Sequence, residues 1–328
     1  MSNRLLVSPV SVGREDAPQR MQDRLVPPLL RCAARTSRLL AGGKGVGFGC
    51  TVAANLIGRD SRISFRLGGR GSFSVRTDDR YWLTYLLLEQ RYEPDLDHFL
   101  YRTLTSKDAF LDCGANLGLW SIAAARVIGD AKRVVAVEAG ARTFAQLEQN
   151  WEDNNRSFTI LHRAVGDVSG KQVSFFASVG DHASATLVEG LSPEDAEAEA
   201  VTTVSLLDLI NDQVARQATS DALIFVKLDI EGVERQVFGT LDPARHGNLV
   251  VLYEDHGSET DHVTGFVLER GFRTAFLGDD GTLEHIQGDT LYRLDELKTN
   301  PTRGYNLLAV APHGVAASRL AQLFGGWE

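Results

Sequence analysis

A short glycine-containing segment, residues 112–118, constrains the fold of this chain more than any other feature. It reads Asp-Cys-Gly-Ala-Asn-Leu-Gly, follows the apolar residues 109–111 and precedes a stretch of small, helix-compatible residues at 121–127. This order predicts a strand, a tight turn and a helix. A helix that begins there directs unpaired backbone N–H groups into the turn, and Gly114 and Gly118 let a ligand approach the main chain. The segment therefore predicts a nucleotide-binding turn.

The residue types in this turn favour S-adenosylmethionine over a dinucleotide. A dinucleotide fingerprint has the spacing G-x-G-x-x-G, whereas Asn116 stands two places after Gly114, and Asp112 would repel a pyrophosphate. An acid beside glycine N–H groups instead matches a ligand with a sulfonium, an amino group and a carboxylate. A plain turn that caps a helix is the alternative. We predict that the cofactor contacts Asp112, Gly114, Ala115, Asn116 and Gly118.

A second acid extends the predicted cofactor site. Residues 133–137 have the pattern of a buried parallel strand and end at Glu138, about two dozen residues after the glycine turn. In a doubly wound sheet, the acid in this place accepts hydrogen bonds from the ribose hydroxyls, and each bond contributes about 1.5–3 kcal/mol. Asp167 lies in a later turn, residues 166–170. It either accepts a hydrogen bond from the adenine amino group or is an ordinary turn residue.

Two later apolar segments, residues 223–228 and 249–253, also run into polar residues. Strands and helices alternate through this part of the chain, which favours a mostly parallel sheet with helices on both faces. Ligands of such sheets bind at the carboxyl ends of the strands. We therefore expect four polar side chains that follow these segments to lie near the reacting atoms: Asp229, Glu231, Glu254 and His256.

Together, these motifs resemble the FkbM family of S-adenosylmethionine-dependent methyltransferases. The segments that carry the resemblance are Tyr92-Glu93-Pro94, residues 112–118, Glu138, Lys-Leu-Asp-Ile-Glu-Gly-Val-Glu at residues 227–234, and Glu254-Asp255-His256. The resemblance covers roughly residues 81–312. It implies a class I methyltransferase fold, a Rossmann-like α/β sheet of seven mostly parallel strands with helices on both faces and the last strand antiparallel. It also implies O-methylation of a glycan, polyketide or related natural product.

Methyl transfer to an alcohol is an in-line displacement, so positioning the reacting atoms is most of the protein's task. A general base that takes the hydroxyl proton adds a factor of about 10²–10⁴ in rate. Asp229 and His256 are the candidates, and Glu231 would raise the proton affinity of Asp229. We assign three residues to the acceptor side: Tyr92, His182 and Glu254. For His182 the alternative stays open that it faces solvent, as loop histidines do at least as often.

Alternatives to this chemistry remain open. The acids Asp229, Glu231 and Glu254 offer oxygen ligands that suit Mg²⁺ or Ca²⁺, so a divalent metal is an alternative that we do not favour. The same acids could cap helices and pair with Lys227 or Arg235. The acceptor could be RNA or protein, although the predicted fourth strand lacks the Asn/Asp-Pro-Pro-aromatic segment of many base-directed methyltransferases. The chain could also bind a nucleotide cofactor without catalysis.

The composition agrees with an enzyme that works in a reducing compartment. With 328 residues, 43% of them hydrophobic, the chain can bury the core of one large α/β domain with additions or of two modest domains. Cys32, Cys50 and Cys113 have neither disulfide nor metal-ligand spacing. No apolar stretch has the length of a membrane span, and charged residues replace the apolar core of a secretory signal. We expect a cytoplasmic protein with no transmembrane segment.

Charge divides the chain into two parts. Residues 1–80 contain 14 Lys and Arg against 6 Asp and Glu, although the whole chain has a net charge of −9. We expect this basic N-terminal extension to be largely solvated. The alternatives are contact with an anionic membrane surface, with nucleic acid or with the acidic body of its own domain. The acidic remainder argues against a nucleic-acid partner, which needs a basic track. Oligomeric state cannot be predicted from these patterns.

The patterns outside the motifs predict three regions. Alternating residues around a glycine-rich turn indicate a β-hairpin near residues 63–76, inside the extension. The methyltransferase domain would span residues 81–313 and contain a hairpin-like pair of strands through residues 171–177. Apolar residues at helical spacing then predict an amphipathic C-terminal tail, residues 314–328, that docks on the domain or on a second subunit.

Overall fold

The computed structural model describes most of the chain after residue 60. The described residues are 7–13 (backbone only), 61–69, 71–86, 92–178, 196–217, 219–230, 232–255, 262–299 and 304–325. Within these residues, no helix combines the length and the hydrophobicity that a membrane-spanning helix needs.

The described strands are β1 (Val7–Gly13), β2 (Arg62–Leu67), β3 (Ser72–Arg76), β4 (Ala109–Cys113), β5 (Val134–Glu138), β6 (Thr159–His162), β7 (Ala164–Gly166), β8 (Gln172–Ser178), β9 (Ala196–Ser205), β10 (Ile224–Leu228), β11 (Leu249–Glu254), β12 (Arg273–Leu277), β13 (Leu283–Ile286) and β14 (Asn306–Val310). The described helices are α1 (Arg80–Thr84), α2 (Pro94–Thr103), α3 (Leu119–Ile128), α4 (Ala141–Asp153), α5 (Leu206–Arg216), α6 (Glu234–Phe238), α7 (Val263–Glu269), α8 (Arg293–Leu297) and α9 (Val315–Phe324), with a 3₁₀ turn at Gly288–Thr290.

The central sheet confirms the predicted α/β architecture. Its strand order is β13-β12-β14-β11-β10-β4-β5-β6. Strands β6, β5, β4, β10 and β11 are parallel, whereas β14 runs antiparallel to both β11 and β12. The short strand β13 adds an eighth, antiparallel strand at the edge beyond the predicted seven. Its sequence, Leu-Glu-His-Ile, is too short and too polar to stand out as a strand.

Alternation of side chains divides the core into two layers, one on each face of this sheet. On the first face, helices α2, α3, α4 and α9 and the strands β2 and β3 pack with Phe110, Ala136, Phe225 and Leu252. On the second face, helices α5, α6, α7 and α8 pack with Leu111, Val137, Val226 and Val251. Helices therefore cover both faces, as predicted.

The hairpin of β2 and β3 packs on the first face, against helices α3 and α4. Its strands pair antiparallel around the glycine-rich turn, and Phe65 and Phe73 are fully buried in the same cluster as Trp120 and Leu147. Strand β1, which is described for its backbone only, pairs with β2 on the side opposite β3. Part of the basic extension is thus continuous with the core of the central domain.

The prediction for residues 171–177 was wrong. These residues belong to one strand, β8, which pairs antiparallel with β9, while β9 pairs parallel with β7 in a second sheet. The alternation in this segment was real, but the partner strand begins at Ala196, beyond a long insertion. Periodicity within a segment predicts a strand and not its partner, because pairing depends on distant residues.

The C-terminal helix α9 packs on helix α2. Ala316 and Leu320 are fully buried, and the ring of Phe324 stacks on Phe99 with 5.9 Å between centroids. The guanidinium carbon of Arg102 lies 4.0 Å from the centroid of the Phe324 ring. The amphipathic pattern of this segment is therefore satisfied within the chain.

Candidate functional site

The first face of the central sheet changes from apolar to polar at the carboxyl ends of its parallel strands. In register, Lys227 of β10 lies beside Asp112 of β4, and each follows a buried phenylalanine two residues earlier on its strand. Glu138 and Glu254 continue the same face at the ends of β5 and β11, and Asp229 lies two residues beyond Lys227. We call Asp112, Glu138, Lys227, Asp229 and Glu254 the polar row. Strand alternation alone brings these side chains to one edge.

The glycine loop, residues 112–118, lies against the exit of the neighbouring strand. Gly114 has φ 79°, and a Cβ there would overlap the carbonyl oxygen of Asp229. Its N–H and that of Ala115 both donate to Val137 O, at 3.0 and 2.9 Å. Gly118 has φ 86°, and a Cβ there would clash with Leu147. Gly114 is therefore required by close backbone approach and by left-handed geometry, and Gly118 by left-handed geometry and by the neighbouring Leu147 side chain.

Asn116 connects the glycine loop to the end of β5. Its backbone is left-handed, with φ 50°, and its N–H donates to Glu138 Oε2 at 2.9 Å. Its side-chain Oδ1 accepts from Leu117 N–H at 2.9 Å and from Trp82 Nε1 at 3.1 Å. Three of the five residues predicted to contact the cofactor from this loop, Gly114, Ala115 and Asn116, are thus fixed by hydrogen bonds from their backbone N–H groups to the end of β5.

Glu138 is nearly buried and holds two segments together. Its Oε1 accepts from Gly140 N–H at 2.8 Å while its Oε2 accepts from Asn116 N–H. Burial raises the pKa of Glu138 to about 7, although these backbone hydrogen bonds lower it. Each oxygen of an ionised carboxylate can accept a second hydrogen bond. The remaining hydrogen-bonding capacity of this carboxylate suits a hydroxyl donor.

Asp112 is 1% exposed and has one satisfied oxygen. Oδ2 accepts from Ser121 Oγ at 2.6 Å, whereas Oδ1 is buried and has no hydrogen-bond partner among the described residues. Burial raises the pKa of Asp112, against the ammonium of Lys227 and the Ser121 hydroxyl. Buried unsatisfied oxygens are rare in native proteins. This oxygen is therefore suited to a positively charged or N–H-donating group of a ligand.

Lys227 lies at the centre of the polar row. Its Nζ is 2.8 Å from Asp229 Oδ2, and the two side chains are 6% and 28% exposed. Burial lowers the pKa of Lys227, but the carboxylates of Asp229, Glu93 and Asp112 outweigh burial and raise it overall. The ammonium holds one oxygen of Asp229 and leaves the other for a further partner. Sequence reasoning treated Lys227 only as a pairing residue, because its position between three acids depends on the strand register.

Glu93 is a further acidic residue of the site that sequence reasoning did not single out. It precedes helix α2 with left-handed backbone angles, φ 42° and ψ 67°, and its carboxylate accepts a hydrogen bond from Trp120 Nε1. Burial raises the pKa of Glu93; Lys227 opposes that shift, whereas Glu254 reinforces it. Such backbone angles are unfavourable for a non-glycine residue, and they cluster at functional sites. The Tyr-Glu-Pro motif was the only available signal.

Tyr92 lies beside Glu93 within a group of aromatic residues. Its hydroxyl is 3.1 Å from that of Tyr81, and its ring centroid is 4.5 Å from that of Trp82. Burial raises the pKa of the Tyr92 hydroxyl, and the negative charges of Glu93 and Asp229 contribute. The structure therefore brings the predicted acceptor-side residue Tyr92 close to Asp229. Glu254 is also at this edge, where its carboxylate packs against Gly304.

One described residue of the predicted site, Asp167, is not joined to this arrangement. Asp167 is exposed after β7, where a hydrogen bond from Gln236 of α6 lowers its pKa. Three predicted residues lie outside the described part of the chain: His182, Glu231 and His256. Among the described residues, no group of three His, Cys, Asp or Glu side chains has the arrangement of metal ligands.

Comparison with known proteins identifies one matching family. Residues 112–274 match the model of the methyltransferase FkbM domain. The similar solved structures include methyltransferase FkbM from Methylobacillus flagellatus KT (17% identity, 71% of this chain and 54% of that chain covered, TM-score 0.37). They also include precorrin-6y C5,15-methyltransferase from Geobacter metallireducens GS-15 (14% identity, 66% and 86% covered, TM-score 0.33). The chain thus spans about half the length of the first of these structures. No curated protein matches the sequence.

Proposed function

Because this chain belongs to the FkbM methyltransferase family, we propose that it is an S-adenosylmethionine-dependent O-methyltransferase. The proposed acceptor is a hydroxyl group of a glycan, a polyketide or a related natural product. The observation that carries the proposal is the meeting of the glycine loop, Asp112 and Glu138 at one sheet edge, next to the acids of the neighbouring strands. A cationic methyl donor and a neutral acceptor fit such an edge.

The residues on the β4 and β5 side fit the donor. The unsatisfied Oδ1 of Asp112 would accept from the amino group of the cofactor, and Glu138 would accept from the ribose hydroxyls. Gly114 and Gly118 give the main chain the left-handed bends that hold the loop at this edge, beside the proposed cofactor position. Asp167 stays our candidate for the adenine amino group. When bound, the cofactor would supply a methyl group on a positively charged sulfur, which is electrophilic.

The residues on the β10 and β11 side fit the acceptor. Lys227 fixes one oxygen of Asp229, so the other oxygen can hold the hydroxyl of the acceptor in line with the donor. We retain Asp229 and His256 as the candidates for the base that takes the hydroxyl proton, with Glu231 beside them. Tyr92 and Glu254, and His182 from the insertion, would contact the rest of the acceptor. Deprotonation would contribute about 10²–10⁴ in rate.

Calorimetry of the full chain tests the cofactor assignment. We expect saturable binding of S-adenosylmethionine and of its demethylated product, and none of NAD. Replacing Asp112 by alanine should weaken the binding of both ligands. Binding of NAD, with neither of the other two, would overturn the proposal.

Mass spectrometry of a gene-deletion strain tests the acceptor class. Glycans and small metabolites should include species that are lighter by one CH₂ than those of the parent strain. Restoring the wild-type gene should return the lost mass, and restoring an Asp229→Asn variant should not. If only RNA or protein lost methyl groups, the proposed acceptor class would be wrong.

A further inference from the structure

One residue of the glycine loop, Asn116, adopts a backbone conformation that few non-glycine residues adopt. Asn116 has φ 50°, in the left-handed region, where a side chain normally costs energy and asparagine is tolerated better than most. In this conformation its N–H donates to Glu138 Oε2. The conformation of Asn116 therefore links the glycine loop to the carboxylate that we assign to the ribose.

Two hydrogen bonds hold the side chain of Asn116 in place. One comes from the adjacent Leu117 N–H, and the other comes from Trp82 Nε1, a residue 34 positions earlier in helix α1. Both partners are donors, so only the carbonyl oxygen of the asparagine can satisfy them. Trp82 also lies outside residues 112–274, the part of the chain that matches the family model. An element outside that match thus reaches the middle of the loop.

Trp82 is held rigidly enough to act as a fixed donor. It is 2% exposed, and its ring packs against Phe73 and Tyr92 with centroids 5.0 and 4.5 Å away. Its backbone N–H is capped by Asp79 Oδ1 at 3.0 Å. A buried indole between two rings cannot shift without repacking its neighbours.

A second contact fastens the hairpin to the same loop. Asn150 of α4 is fully buried, and its Nδ2 donates both to Leu117 O at 2.9 Å and to Ser74 O at 3.1 Å. Its Oδ1 accepts from Ser74 N–H at 2.9 Å. The loop is therefore tied to β3 through Asn150 and to α1 through Trp82, so the hairpin and helix form a rigid support behind it.

We propose that Trp82 is a positioning residue for the cofactor. It would hold Asn116 in the left-handed conformation that orders the glycine loop beside Glu138 before the cofactor arrives. Without its N–H, the loop would have to be ordered at the moment of binding, which weakens affinity. The inference rests on the proposed cofactor and extends the binding site to a segment outside the family match.

The first test compares two tryptophan variants by calorimetry with S-adenosylmethionine. Trp82→Phe removes the indole N–H and keeps an aromatic ring. We expect the Kd to rise about 3- to 10-fold, the range of one ordinary hydrogen bond. Trp151→Phe is the matched control, because its indole N–H donates to the Phe158 carbonyl oxygen rather than to a residue of the loop. The control should change the melting temperature without changing the Kd.

The second test approaches the same hydrogen bond from the loop. Asn116→Gly tolerates the left-handed backbone but removes Oδ1. Because this substitution leaves the aromatic core intact, it still tests the hydrogen bond if Trp82→Phe fails to fold. We expect a similar rise in Kd. In the Asn116→Gly background, Trp82→Phe should have no further effect on the Kd. Additive effects in this cycle, or wild-type affinity in either Trp82→Phe or Asn116→Gly, would overturn the inference.

These outcomes separate the inference from the proposed function. If the wild-type chain does not bind S-adenosylmethionine, the proposed cofactor is wrong and the inference falls with it. If the wild-type chain binds and Trp82→Phe binds equally well, only the positioning role is wrong.

Discussion

The two ends of the polar row are built in different ways. On the β4 and β5 side, Gly114, Ala115 and Asn116 are held by hydrogen bonds from the main chain, and Glu138 closes the loop through two backbone N–H groups. On the β10 and β11 side, the contacts are between side chains, with Lys227 paired to Asp229. A main-chain site is specified by few residue types, whereas a side-chain site depends on many. The first is therefore marked by a short sequence pattern, whereas the contacts of the second depend on the strand register.

The two sides also differ in what covers them. The glycine loop is supported from behind by Trp82 and Asn150, both in the packed core. The proposed acceptor side is lined by Tyr92 and Glu93, which lie immediately before helix α2. The two sides are therefore covered by different elements. Substitutions at Gly114, Asp229, Lys227 and Glu138 test this contrast.

Gly114→Ala should abolish measurable cofactor binding and strongly destabilise the fold. The added Cβ would overlap the Asp229 carbonyl oxygen, and φ 79° disfavours any side chain. Gly129→Ala is the matched control, because φ there is 71° but a Cβ would meet no atom within 4 Å. The control should lose only about 1–2 kcal/mol. Calorimetry measures the cofactor affinity and urea unfolding measures the stability of each variant. Equal values for the two variants would contradict the close approach of Gly114 to the Asp229 carbonyl oxygen.

Asp229→Asn should lower kcat by about 10²–10⁴ and leave the cofactor Kd nearly unchanged. The substitution keeps the shape of the side chain and removes the charge that holds the hydroxyl and its proton. Steady-state kinetics with the identified acceptor, together with calorimetry, separate the two quantities. A large loss of cofactor affinity instead would place Asp229 on the donor side of the site.

Lys227→Met should destabilise the protein by about 3–5 kcal/mol, because it leaves buried carboxylates without their counter-charge. Burial of the lysine and its 2.8 Å pair with Asp229 place this ammonium among acids. The exposed pair of Lys107 and Asp221 gives the control, since its side chains are 55% and 58% exposed. Lys107→Met should cost at most about 1 kcal/mol. Equal free energies of unfolding in urea for the two variants would show that Lys227 does not stabilise the buried carboxylates around it.

Cofactor affinity should rise with pH up to about 7 and level off above it. The pKa of Glu138 is about 7 in the free protein, and hydroxyl donors would favour its ionised form and lower that pKa in the complex. Binding therefore releases a proton below pH 7, and each unit of acidification weakens affinity by at most about tenfold. Calorimetry between pH 5.5 and 8.5 measures the slope. The Glu138→Gln variant should bind the cofactor more weakly, and its affinity should no longer depend on pH. An unchanged slope in this variant would point to another titrating group, such as Asp112.

Much of the fold was predictable because its signals are local. The strand-turn-helix pattern at residues 109–127, the strands at β5, β6, β10, β11 and β14 and the helix α9 all follow from periodicity and glycine placement. The strand β13 and the pairing of β8 with β9 were missed. The first is short and polar, and the second joins segments separated by a long insertion. Pairing between distant segments leaves little trace in either segment alone.

The sequence by itself determined which residues end the strands and where the main chain must bend, because alternation and glycine geometry are properties of a few neighbouring residues. It thereby specified Asp112, Glu138, Asp229 and the glycine loop as a group. Only the tertiary structure decided that Lys227 lies among three carboxylates, one of them Glu93, and that Trp82 supports Asn116. Those contacts join separate segments of the chain, and electrostatic and packing energies depend on distances that exist only once the chain has folded.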